Sequence, residues 1–222
     1  MFSDRRDAGH RLAAALLHLR DADPVVLALP RGGVPVAYEV ARALKAPLDV
    51  LLVRKIGAPF NPELAIGAVA DGPKPQVVFD DALVRLTQPP PGYIDEVVER
   101  EFAEMKRQRE LYAAARNTIM LAGRAVILVD DGVATGSTMR AAARAMARQA
   151  PGWLMLAIPV APASAVAELR AEADDVVCLL TPDSFHTVGE HYKDFGQTSN
   201  QEVSGLLRLA HGMGTSRRPS MG

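Results

Sequence analysis

Residues 125–140 read AVILVDDGVATGSTMR. The apolar run Ala125–Val129 is long enough for a buried strand and too short for a helix, and two acids, Asp130 and Asp131, close it. Gly132 permits a sharp turn. Thr135, Gly136, Ser137 and Thr138 then place small hydroxyl and glycine residues just before an Ala-rich helical segment. Unpaired N–H groups at a helix start, aided by the helix dipole and by hydroxyls, bind a phosphomonoester without a lysine. At the carboxyl end of the strand, the two acids can accept hydrogen bonds from vicinal sugar hydroxyls, directly or through the hydration shell of Mg²⁺. A phosphate site beside a diol site describes a ribose 5-phosphate. Ordinary capping would explain one acid or hydroxyl here, but not a whole run of them in register. The stretch lacks the lysine and the spacing of a P-loop, and the chain has no dinucleotide fingerprint.

Composition narrows the partners. The chain has 222 residues, 25 Lys and Arg against 26 Asp and Glu, and a formal net charge of −1. That length can bury a full core as one large domain. The charge gives no field that would attract nucleic acid or an anionic membrane. The single cysteine, Cys178, excludes a disulfide framework and a cysteine-based metal site; within its apolar run it reads as a buried, inert thiol. Met1–Leu19 carries Asp4 and Asp7 beside its basic residues and fits a signal peptide poorly. Nothing approaches the ~20 apolar residues of a membrane-spanning helix. A cytoplasmic protein that binds neither nucleic acid nor membrane is expected.

Asp130, Asp131, Ala134, Thr135, Gly136, Ser137 and Thr138 fall without gaps on the signature of the type I phosphoribosyltransferases: an apolar strand, two acids and a T-G-x-T loop. The chain resembles that family over residues 24–181. The resemblance implies transfer of ribose 5-phosphate from phosphoribosyl pyrophosphate (PRPP) to a nitrogenous base or related acceptor, with release of pyrophosphate. It assigns the 5-phosphate to Ala134–Thr138 and the pyrophosphate to Arg31, Gly32, Gly33, Arg54 and Lys55. Mg²⁺ would arrive with PRPP and meet Asp130 and Asp131 through water or through PRPP itself. Asp130, Asp131, Lys55 and Arg31 then form the catalytic group, and a homodimer is expected. A PRPP-sensing regulator and a PRPP hydrolase of the same fold are the alternatives. In the hypoxanthine-guanine enzymes an acid precedes the T-G pair; here that position is Ala134, which disfavours a 6-oxopurine acceptor without selecting another base.

Elsewhere the pattern alternates strand and helix, which predicts an α/β fold: a doubly wound, mainly parallel sheet of about five strands with flanking helices. Residues 3–20 read as an amphipathic helix with Leu12, Leu16 and Leu19 on one face, a lid or flank. Val25–Leu29 reads as a strand, Pro30-Arg31-Gly32-Gly33 as a turn, and Val34–Leu44 as a helix. Two glycines let the backbone approach an anion, and Arg31 adds a forked, permanently charged donor. In relatives this loop often holds a cis peptide, so one is expected near Arg31–Gly32. Pro47–Val53 reads as a strand ending in Arg54 and Lys55. The Pro/Gly/Asn loop after it, to Glu63, reads as a mobile clamp, with Glu63 as a candidate acid/base. Ala65–Ala70 and Gln76–Asp80 form a hairpin around Asp71-Gly72-Pro73.

The spacer Thr87–Gly92 precedes a long helix over Tyr93–Ala115. Arg140, Arg144 and Arg148 make an outer row, read as a solvated face or subunit contact before a nucleic-acid surface. Strands Trp153–Val160 and Val176–Leu180 flank a helix from Pro162 to about Ala173. After them come Phe185, His186, His191, Tyr192 and Phe195. Phe185 and Tyr192 either stack on the acceptor ring or pack the C-terminal segment, and the two histidines lack the spacing of a helical metal pair. One domain over residues 1–210 is expected, with a core at 24–181, a β-hairpin and flexible-loop insertion, a small hood from 1–20 and 182–205, and a disordered tail at 211–222.

Overall fold

Short runs that are apolar at every position become strands covered on both faces, and this governs the main sheet. The computed structural model describes residues 1–71, 75–115, 119–211 and 213, and only the backbone of Glu63 and Ala114. In chain order the elements are α1 (Arg5–Leu16), β1 (Val25–Ala28), α2 (Gly33–Leu44), β2 (Leu48–Val50), β3 (Val53–Ala58), β4 (Asn61–Ala70) and β5 (Gln76–Phe79). Next come α3 (Asp81–Thr87), α4 (Tyr93–Tyr112), β6 (Ala125–Val129), α5 (Ser137–Ala147), β7 (Trp153–Val160), α6 (Ala163–Leu169), β8 (Asp175–Leu180) and α7 (Asn200–Ala210).

Five strands form a parallel sheet in the order β2-β1-β6-β7-β8. Val26, Ala28, Ile127 and Val129 face a core shared with α1, α2, α4 and α7, while Val25, Leu27, Val126 and Leu128 face one shared with α5 and α6. Each fully buried Val, Leu or Ile contributes about 1.5–3 kcal/mol, so alternate residues lock the strand from both sides. Leu12 and Leu16 of α1 are fully buried in the first core, so this helix is structural and not only a flank. The strand order reverses between β1 and β6. In an open α/β sheet, that point, beyond the carboxyl ends of the strands, is where a ligand crevice forms. No helix among the described residues is long and apolar enough to cross a membrane.

The insertion differs from expectation. β2 stops at Val50, and Val53–Ala58 instead opens a second, antiparallel sheet in the order β3-β4-β5. The chain leaves the main sheet at Leu52, whose N–H donates to Asp71 Oδ1 at 2.8 Å while its carbonyl accepts from Asp71 N–H at 2.9 Å. Arg54 and Lys55 therefore lie inside a strand, not at the end of one. The segment expected to be a loop is a β3–β4 hairpin. A Cβ on Gly57 would stand 2.7 Å from Pro62 Cα, so only glycine lets the two strands approach there. Gly72 and Pro73, the expected turn of the next hairpin, lie outside the described residues, as does the Glu63 side chain. Helix α3, not foreseen in the sequence, is capped by Asp80, which accepts from Leu83 N–H.

The arginine row of α5 is engaged within the chain: Arg140 pairs with Glu168, Arg144 with Glu172 and Asp80, and Arg148 donates to the Val77 carbonyl. The segment before α1 pairs with the one after β8. Phe2 N–H donates to the His191 carbonyl, and the Phe2 carbonyl accepts from Lys193 N–H. Helix α7 packs Val203, Leu206 and Leu207 into the main core. Met213 lies against that core, and residues 214–222 are outside the described ones.

Candidate active site

The reversal point joins two strand-to-helix turns. β1 and β6 pair in register from Val25↔Val126 to Ala28↔Val129, and Leu29 N–H extends the ladder to the Val129 carbonyl at 2.9 Å. The two turns are thereby held side by side: Pro30-Arg31-Gly32-Gly33 after β1, Asp130 and Asp131 after β6. The cis peptide lies between Pro30 and Arg31, one bond earlier than Arg31–Gly32. Gly32 has ordinary helical angles, so its lack of a side chain serves close approach. A Cβ there would collide with Asp131 Oδ2. On Gly33 it would meet the Val129 carbonyl at 2.9 Å. The loop backbone thus rests directly on the acid pair.

Beyond the acids, Ala134 and Thr135 are exposed and Gly136 takes φ 78 at the start of α5. That left-handed conformation suits glycine. No side chain among the described residues caps this helix start, so its first-turn N–H groups and the positive end of its dipole are left for a ligand. The Thr135 and Ser137 hydroxyls lie 3.1 Å apart at its mouth. Thr138 is half-buried in the first turn.

Charge at the acids is set by their surroundings. Burial, and then the neighbouring charge of Asp131, push the Asp130 carboxyl well above the ordinary carboxylate range. Its Oδ1 accepts from Asp131 N–H at 2.9 Å. Asp131 Oδ2 accepts from Arg5 Nε at 2.7 Å, in a pair whose side chains are only 13% and 14% exposed. Arg5 Nη1 also donates to the Gly196 carbonyl at 2.6 Å, and its guanidinium lies 3.9 Å from the centre of the Phe195 ring. Nothing in the sequence separates Arg5 from Arg6 or Arg11 on the same helix, and only folding brings it to the acids.

The second sheet supplies cations of another kind. Arg54 Nε donates to Glu101 Oε2 at 2.9 Å, pairing β3 with α4. Lys55 is half-buried in the same strand. Neither belongs to the parallel sheet that builds the rim.

The aromatic segment is mainly structural. Tyr192 is 5% exposed, its ring lies between Phe2 and Phe195, and its hydroxyl donates to the Asp131 carbonyl. Burial, and then the charge of Asp131, raise its phenol above the ordinary range, so it remains a donor. The Tyr192 ring is enclosed between these two neighbours. Phe185 stacks on His191 with ring centres 5.3 Å apart and packs toward the same cluster. Cys178 is half-buried rather than fully buried. Desolvation pushes its thiol up, and Sγ donates to the Leu180 carbonyl at 3.3 Å.

Comparison with known proteins finds relatives of this chain. The family model described as the phosphoribosyl transferase domain matches residues 5–194. Two proteins of Mycobacterium tuberculosis (strains CDC 1551 / Oshkosh and ATCC 25618 / H37Rv), each named provisionally as a phosphoribosyl transferase, are 46% identical to it over 212 residues, 95% of this chain and 47% of theirs. The chain thus spans about half the length of these relatives. The crystal structure of TT1426 from Thermus thermophilus superposes with a TM-score of 0.85 at 44% identity, covering 94% of this chain and 98% of that one. With the match running from the first residue of α1 to Asp194, this chain belongs to the phosphoribosyl transferase domain family.

Proposed function

We propose that this chain transfers ribose 5-phosphate from PRPP to a nitrogen nucleophile and releases pyrophosphate. The reading is carried by one observation: the β1/β6 reversal point holds the Arg31-Gly32-Gly33 turn against Asp130 and Asp131, with an uncapped helix start just beyond. The cup at Ala134–Thr138 takes the 5-phosphate through N–H groups and hydroxyls. The acids accept from the ribose hydroxyls. The acceptor nitrogen bonds to C1 as the bond from C1 to the pyrophosphate oxygen breaks, and the electron pair leaves with pyrophosphate. Arg31 and the glycine-loop amides stabilise that departing charge, which grows in an oxocarbenium-like transition state. Arg54 and Lys55 serve as further pyrophosphate contacts from the second sheet.

Asp131 already gives one oxygen to Arg5, and Asp130 Oδ1 accepts from the Asp131 N–H. This donor set suits a hydrated Mg²⁺ carried by PRPP better than a cation held by the protein alone. When bound, Mg²⁺ neutralises charge on the leaving group.

Calorimetric titration of PRPP with Mg²⁺, followed by a screen of nitrogenous bases for pyrophosphate release, tests the reading. Tight PRPP binding with acceptor-dependent release supports it. Release without any acceptor indicates a hydrolase, and binding without turnover a sensor. No PRPP binding refutes the donor site.

A further inference from the structure

Resting on that donor-site reading, we propose that Arg5 is a positioning residue, which orients Asp131 toward the ribose hydroxyls from outside the acid motif. Asp131 is pinned from several sides: its N–H by Asp130, its carbonyl by the Tyr192 hydroxyl, its Oδ2 by Arg5, and its outer face by the backbone of Gly32. Arg5 is itself immobilised by the Gly196 carbonyl and the Phe195 ring. The Arg11–Asp7 pair, further along the same helix, is 53% and 27% exposed and has no such enclosure.

An enclosed ion pair gains little net stability, because desolvation offsets the attraction. Its geometry is another matter. A planar guanidinium fixed at three points holds one carboxylate oxygen in place, which directs the rest of the group toward a ligand. Arg5 comes from α1, and Tyr192, Phe195 and Gly196 come from the segment after β8. Helix α1 and the segment between β8 and α7 therefore close the donor site together, and the phosphate cup is built without them.

Arg5→Gln, Arg5→Lys and Tyr192→Phe, each checked for an unchanged melting temperature, separate these roles. Each is titrated with ribose 5-phosphate and with its 2,3-dideoxy analogue. Wild type should favour the hydroxylated ligand. Arg5→Gln should lose about tenfold to a hundredfold in ribose 5-phosphate affinity and little for the dideoxy analogue, since a charge-assisted contact is lost only on the hydroxyl side. Arg5→Lys should restore only part, because an ammonium lacks the fork, and Tyr192→Phe should fall between Arg5→Gln and wild type. The proposal is overturned if Arg5→Gln keeps the wild-type hydroxyl preference, weakens both ligands alike, or binds ribose 5-phosphate more tightly. Wild type binding neither ligand would instead overturn the donor-site reading beneath it.

Discussion

The two sheets are covered to different degrees: β1 is buried at every position, whereas β3 and β5 mix buried residues with more exposed ones. The parallel sheet is clamped by apolar side chains on both faces, with Val26, Ile127 and Leu128 fully buried. The antiparallel sheet of β3, β4 and β5 leans on α4 and α5, buries Ile56, Ile66 and Val69 in the main core, and is further tied by polar contacts. These are Leu52 with Asp71, Arg54 with Glu101, the Tyr93 hydroxyl with the Gly57 carbonyl, and Arg144 with Asp80. Hydrophobic burial is non-directional and cumulative, so the first sheet is a stiff platform. Polar tethers are directional and individually modest, so those of the second sheet can be lost one at a time while its apolar face stays buried. Under the proposed function, the platform would align the reacting groups and the second sheet would bring Arg54 and Lys55 to the pyrophosphate.

Substitutions can break this contrast. Ile127→Ala in β6 should cost about 2–5 kcal/mol of global stability, read by denaturant unfolding, because a buried side chain leaves a cavity the sheet cannot close. Gly32→Ala should leave stability nearly intact yet weaken PRPP binding about 10²-fold by calorimetry. Its methyl would collide with Asp131 Oδ2, and a displacement of about 1 Å is enough to misplace a ligand group. Asp71→Ala should cost about 1–3 kcal/mol by leaving Leu52 N–H unpaired in a buried place. Hydrogen exchange should then rise in β3–β5 and not in β6; a uniform rise would erase the distinction between the sheets.

The smallest effect concerns Asp80. The N–H of Leu83, and then Arg144, hold its carboxyl below the ordinary range. Its stabilisation is therefore fully present above the unfolded value and is lost as pH falls through the lower folded one. Asp80→Ala should cost about 1 kcal/mol at neutral pH as a lost helix cap. The gap to wild type should shrink on acidification in pH-dependent unfolding, and a gap independent of pH would refute the charge contribution.

The same contrast explains what could be read in advance. Ala125–Val129 and Trp153–Val160 coincide with β6 and β7 because a strand covered on both faces must be apolar at every position, and such a run has few other readings. Val53–Ala58 was obscured because a half-exposed strand bearing Arg54 and Lys55 has the composition of a loop. Helix α3 is short and has no buried residue, so its seven residues left no periodicity to detect.

The sequence by itself determined the central strands, the turn at Arg31-Gly32-Gly33, the acid pair and the helix start after Gly136, since each is written in contiguous residues whose local conformation follows from their chemistry. Only the tertiary structure decided that Arg5 reaches Asp131, that Tyr192 supports the acids from behind, and that Arg54 answers to Glu101. These contacts span 126, 61 and 47 positions. No local pattern encodes a pairing at such separation; it exists because α1 packs on α2, Phe2 pairs with the segment after β8, and α4 packs on β3.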